Sequence, residues 1–138
     1  MHVLTPKGLV ILDLTTPLEP KLVGQLALPD PRALQVQFRY AFVTTGAGLQ
    51  VVEITNPQAP RLVEQATVPI ADAKRVHVAR TFAYVAAGSE GLVIVDVEKP
   101  EKPFVYQRFN ADGRINDARD VSVATTNASL IAYVADGK

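Results

Sequence analysis

Three acid–base pairs stand at matching places along the chain. Asp30 precedes Arg32 by two residues, Asp72 precedes Lys74, and Asp117 precedes Arg119. A carboxylate and a cation so spaced can tie neighbouring elements together or present a polar rim to a ligand. A second set of acids, Asp13, Glu53 and Asp96, each closes an apolar run. A metal site would need such ligands gathered within about 2.5 Å of one ion. These three fall in separate repeating units, which favours a local role: accepting hydrogen bonds from the turn that follows. No metal and no cofactor is expected.

Other residues offer little chemistry. His77 lies between Val76 and Val78, aligned with Gln35 and Ser122, and His2 is near the N-terminus. Neither histidine has a recognisable nucleophile or orienting acid beside it, so no catalytic residue is assigned. The row Gln35, His77, Ser122 is read as bonding between units or facing a central channel. The segment Asn110–Asp120 is rich in oxygen ligands, but its spacing does not match a calcium loop. A turn with Asp112-Gly113 at its tip explains it as well. Gly46-Ala47-Gly48 and Gly88-Ser89-Glu90-Gly91 open no helix, so they are turns and not phosphate loops. Asn127-Ala128-Ser129 fits a glycosylation sequon.

The elements that hold these residues repeat. Gly8, Pro17, Pro20 and Pro29 recur 40 residues later as Gly48, Pro57, Pro60 and Pro69, and Gly91 follows Gly48 by 43. Asp30–Gly46 aligns without a gap on Asp72–Gly88, and Asp117–Gly137 is a third, longer copy. The runs are five to eight residues long, filled with Val, Ile, Tyr and Phe, and set between Gly and Pro. They read as strands, and a period near 40 suits a four-stranded propeller blade.

Gly91–Val97 reads GLVIVDV, Ala83–Ala86 before it reads AYVA, and Gly8–Asp13 contains LVILD. In this the chain resembles the LVIVD repeat family, β-propeller repeats of bacterial and archaeal cell-surface proteins. The second copy departs from the motif at Gln50 and Glu53. The resemblance implies an extracellular or cell-surface location in a bacterium or archaeon, and a role in interaction.

The expected fold class is all-β: a partial β-propeller of about three four-stranded antiparallel blades, open at both ends. With strands named A (innermost) to D, residues 1–29 form a partial blade. Residues 30–69 and 70–110 form whole blades, and 111–138 another partial one. The expected strands are B, Leu9–Leu14 (C) and Lys21–Leu28 (D) in the first. The second has Leu34–Phe38, Tyr40–Thr45, Leu49–Ile54 and Arg61–Val68. The third has Arg75–Ala79, Phe82–Ala87, Leu92–Val97 and Phe104–Phe109, and the last has Asp120–Ala124 and Leu130–Ala135. Strand C, apolar on both faces, implies packing between two neighbours. Beginning and ending on strand B, the chain is expected to be a fragment completed by further blades of a parent protein.

Composition bounds the partners. Zero formal net charge shows no electrostatic footprint for nucleic acid. No apolar run reaches transmembrane length, so no membrane insertion is expected. The absence of cysteine excludes disulfides and thiolate metal sites, and no signal peptide is visible. The expected function is a non-enzymatic interaction module for a protein or surface ligand. Part of a propeller enzyme with its active site on other blades, or a structural spacer, are the alternatives. Candidate binding residues are those of one rim: Asp30, Arg32, Asp72, Lys74, Asp112, Arg114, Asp117, Arg119 and Asp120.

Overall fold

Short apolar runs divided by tight turns fold as an antiparallel meander, each strand pairing with the next. The computed structural model describes residues 1–126 and 128–137. Asn127 of the sequon lies outside the described residues. Among the described residues, thirteen strands form four sheets. The first sheet holds β1 (His2–Thr5), β2 (Gly8–Asp13) and β3 (Lys21–Ala27). The second holds β4 (Pro31–Gln37), β5 (Tyr40–Thr45), β6 (Gly48–Glu53) and β7 (Arg61–Leu62). The third holds β8 (Arg75–Ala79), β9 (Phe82–Ala86), β10 (Leu92–Asp96) and β11 (Phe104–Phe109). The fourth is the hairpin of β12 (Ala118–Thr125) and β13 (Leu130–Asp136). All pairings are antiparallel. This is the all-β, partly built propeller that the repeat implied.

The core lies between sheets, and strand alternation divides it. In β10, Val93 and Val95 point to the second sheet, packing with Phe42, Val51 and Val63. Leu92 and Ile94 point the other way, to Val121 and Val123 of the fourth. In β5, Tyr40 and Phe42 face the third sheet while Ala41 and Val43 face the first, against Leu9 and Ile11. A strand covered on both sides has no face left for polar residues, which is why the third strand of each unit reads as a continuous apolar run. In β2 one face lacks that cover, and Val10 and Leu12 stay half-buried.

One strand departs from expectation. The run Arg61–Val68 is extended only at Arg61–Leu62; a 3₁₀ turn follows at Glu64–Ala66, and Val68 rejoins the sheet by a bridge to Leu49. Parity explains the break. A strand alternates faces, so an unbroken one would put Val63 and Val68 on opposite sides. The turn lets Val63, Ala66 and Val68 all enter the same core. The first strands of the second and fourth sheets also begin earlier than expected, at Pro31 and Ala118. Each carries a bulge there, between Pro31 and Ala33 and between Ala118 and Asp120.

Candidate functional site

Those bulges fall on Arg32 and Arg119. A bulge leaves one residue unpaired and re-aims its side chain, and both guanidiniums leave the ladder for the rim. Arg32 Nη2 pairs with Asp30 Oδ2 at 3.0 Å, and its Nη1 with Asp72 Oδ1 of the next sheet at 3.2 Å. Lys74 Nζ repeats the arrangement, 3.5 Å from Asp72 and 3.2 Å from Asp117. Arg119 pairs with Asp117 at 2.8 Å. The three acid–base pairs thus form one row of alternating charge, Asp30–Arg32–Asp72–Lys74–Asp117–Arg119, crossing three sheets.

The row rests on a glycine in each unit. A Cβ on Gly46 would lie 2.7 Å from Asp30 Oδ2, and Cβ atoms on Gly88 and Gly137 would collide with the carboxylates of Asp72 and Asp117. The acid packs against the turn that ends the second strand, so the first loop and this turn share one rim. The recurrence of Gly46, Gly88 and Gly137 beside Asp30, Asp72 and Asp117 carried this signal in the sequence; its meaning needed the geometry.

The other expected rim residues divide. Asp112 and Arg114 are exposed and form no ion pair among the described residues. They sit on a loop where Ala111, Asp112 and Gly113 run in succession through positive φ, at 52°, 56° and 84°. Asn110 steadies this loop by accepting Ile115 N–H at its carbonyl at 2.9 Å. Asp120 Oδ1 accepts the Val121 N–H at 2.8 Å and stands apart from the row. Nearby, Arg108 Nη1 reaches Glu90 at 2.6 Å.

The strand-end acids serve their own turns. Asp13 accepts Thr15 N–H at 2.8 Å and Thr15 Oγ1–H at 2.6 Å, and Asp96 accepts Glu98 N–H at 3.0 Å. Glu53 accepts Thr55 Oγ1–H at 3.2 Å and pairs with Arg61. Bonding to the charged form lowers a carboxyl pKa. The Thr15 hydroxyl lowers that of Asp13, and the Arg61 guanidinium that of Glu53. Arg119 first, then Lys74, lowers Asp117.

Gln35 bonds between units, as its row suggested. Its Nε2 donates to Val78 O at 3.0 Å and its Oε1 accepts Val78 N–H at 2.6 Å. The side-chain amide so takes the place of a missing backbone ladder where the innermost strands splay apart. At the opposite rim, Tyr40 O–H donates to Glu101 of the next sheet, and Arg39 lies 5.4 Å over the Tyr40 ring.

Four antiparallel sheets stacked face to face, with an ion-pair tie repeated where the second meets the third and the third meets the fourth, define a β-propeller repeat module. A family model for the LVIVD repeat matches residues 32–68 and 70–111, more than half of the chain. The chain belongs to the LVIVD repeat family. A search of curated proteins brings up no match to it.

Proposed function

We propose that the chain works as a non-enzymatic interaction module in a cell-surface or secreted protein of a bacterium or archaeon, part of a propeller shared with further blades. It contacts a protein or surface ligand through the rim that carries the charge row. The observation behind this reading is the pairing of two kinds of charge there. Asp30, Arg32, Asp72, Lys74, Asp117 and Arg119 hold one another, which stiffens the rim. Asp112 and Arg114 stand exposed beside them on a loop of unusual backbone. Loops carried on a rigid scaffold are where binding residues concentrate, and paired charges are poor nucleophiles and bases. The enzymatic alternative has no residue constellation in its favour among the described residues.

The test is binding to an array of purified bacterial surface polysaccharides and envelope proteins. Asp112→Ala with Arg114→Ala is expected to weaken any binding by about tenfold, the effect of losing roughly 1.4 kcal/mol. Substitutions beside Pro57 or Pro100, on the other rim, are expected to leave it unchanged. The reverse pattern, or chemical turnover of a bound ligand, would overturn the proposal.

A further inference from the structure

The dipeptide Asp-Gly occurs twice in the chain, at Asp112-Gly113 and at Asp136-Gly137. An aspartyl carboxyl followed by glycine is open to attack by the next backbone nitrogen, because glycine sets no Cβ beside that nitrogen. The fold treats the two copies in opposite ways.

Asp136 is pinned. It ends β13 in register with Ala118. Its Oδ1 accepts the Asp117 N–H at 2.6 Å, and the Gly137 N–H donates to Asp117 O at 2.9 Å. The side chains of Asp117 and Arg119 wall Gly137. Carboxyl and nitrogen are both committed to one neighbour, so bringing them together means opening the end of the hairpin first.

Asp112 is held by neither bond. It is exposed, and its carboxylate makes no ion pair or hydrogen bond among the described residues. The Gly113 N–H has one long contact, 3.4 Å to Asn110 Oδ1. The loop is otherwise closed by bonds of 3.2 Å, from Arg114 N–H to Ala111 O and from Asn116 Nδ2 to Gly113 O. Neither engages the carboxyl or the nitrogen. Nothing lies within 4 Å of the place a Gly113 Cβ would take, so water has access and a ring has room. Ala111 and Asp112, at φ 52° and 56°, hold a left-handed conformation that L side chains disfavour. That strain lowers the cost of leaving the folded loop.

We propose that Asp112-Gly113 is a site of spontaneous backbone isomerisation, a modification from which the fold spares Asp136-Gly137. The Gly113 nitrogen attacks Cγ of the Asp112 carboxylic acid. A Cγ–N bond forms, and the acid's hydroxyl leaves with the amide proton as water, closing a succinimide. Water then adds back across one of the ring's two C–N bonds. Breaking the bond to Cγ restores aspartate. Breaking the bond to the Asp112 backbone carbonyl carbon leaves the chain running through Cγ, as isoaspartate with a free α-carboxylate. Nothing is oxidised or reduced, and the water lost is regained. The modified loop is longer by one backbone atom beside Arg114, and its negative charge sits on a different carbon.

The test is to age the intact folded chain at neutral pH and follow isoaspartate by methyl transfer from an isoaspartate-specific methyltransferase. Cleavage after Lys and Arg separates the two dipeptides, into residues 109–114 and 120–138. Isoaspartate of unchanged mass is expected to accumulate in 109–114, preceded by a form one water lighter. Deamidation of Asn110 in the same peptide is told apart by its gain in mass. Peptide 120–138 should carry at least about tenfold less, since it reacts only from a locally opened state. In urea the two peptides should react alike. Asp112→Glu, whose ring would need one more atom, should abolish the mass-neutral signal with circular dichroism unchanged. Whether the rim binds a ligand does not enter these readouts. No isoaspartate in 109–114, equal amounts in both peptides of the folded chain, inertness of 120–138 in urea, or a mass-neutral signal that survives Asp112→Glu would each overturn the proposal.

Discussion

Tyr40–Thr45 and Leu130–Asp136 occupy the same place in their sheets, yet the chain treats them in opposite ways. The first strand is buried at every residue and the second is mostly exposed. Their apolar content is similar: YAFVTT against LIAYVAD. Burial in this fold is therefore set by whether a neighbouring sheet is present on each side, and only secondarily by the residues themselves. That is the behaviour of a one-dimensional repeat array, where stability is a sum over units and joints.

The sharpest way to break the comparison is to charge one repeat position in the middle and at the end. Val95 is fully buried between the second and third sheets; Leu12, its counterpart in the first, is half-buried on an open face. Val95→Asp is expected to remove several kcal/mol of stability, a large part of the roughly 5–15 kcal/mol of an ordinary domain. The variant should aggregate or lose its melting transition. Leu12→Asp, measured in dilute solution, should cost about 1 kcal/mol or less.

The joints come next. Gln35→Ala strands the N–H and C=O of Val78, and an unpaired buried backbone group costs about 1–3 kcal/mol. Ser122, the same repeat position on β12, is exposed, and Ser122→Ala should change the melting temperature little. Equal losses at both sites would show that Gln35 acts within its own sheet and not across the joint.

The fold was legible in the residues because the repeat supplied it three times over. Gly8, Gly48 and Gly91 marked the start of each third strand, and the prolines marked the turns. Misplaced boundaries had local causes: Val63, Ala66 and Val68 obey a parity that only the packed core reveals, and the bulges at Arg32 and Arg119 leave no compositional trace. At the rim, the Asp-x-basic pairs were visible as pairs. That Arg32 and Lys74 also span to the next acid depends on the spacing between sheets, which no single unit encodes. Asp120, an acid beside the row in sequence, turns instead to the N–H of Val121 in its own strand.

Smaller effects attend the charge row, whose members are partly exposed and screened. Asp72 holds Arg32 and Lys74, but at 43% exposure Asp72→Ala should cost about 1 kcal/mol or less, shrinking with added salt. The row also sets acid sensitivity. Asp117 has a lowered folded pKa, so its stabilisation is present above the unfolded value near about 4 and is lost as pH falls through the folded one. Melting temperature should decline below about pH 4, and Asp117→Asn should lessen that decline.

Hydrogen–deuterium exchange along the chain puts the comparison to its most direct test. Amides of residues 40–45 and 82–86 are predicted to exchange slowly and those of 130–136 fast. Equal protection of all three strands, or fast exchange in 40–45, would contradict the claim that neighbouring sheets set burial.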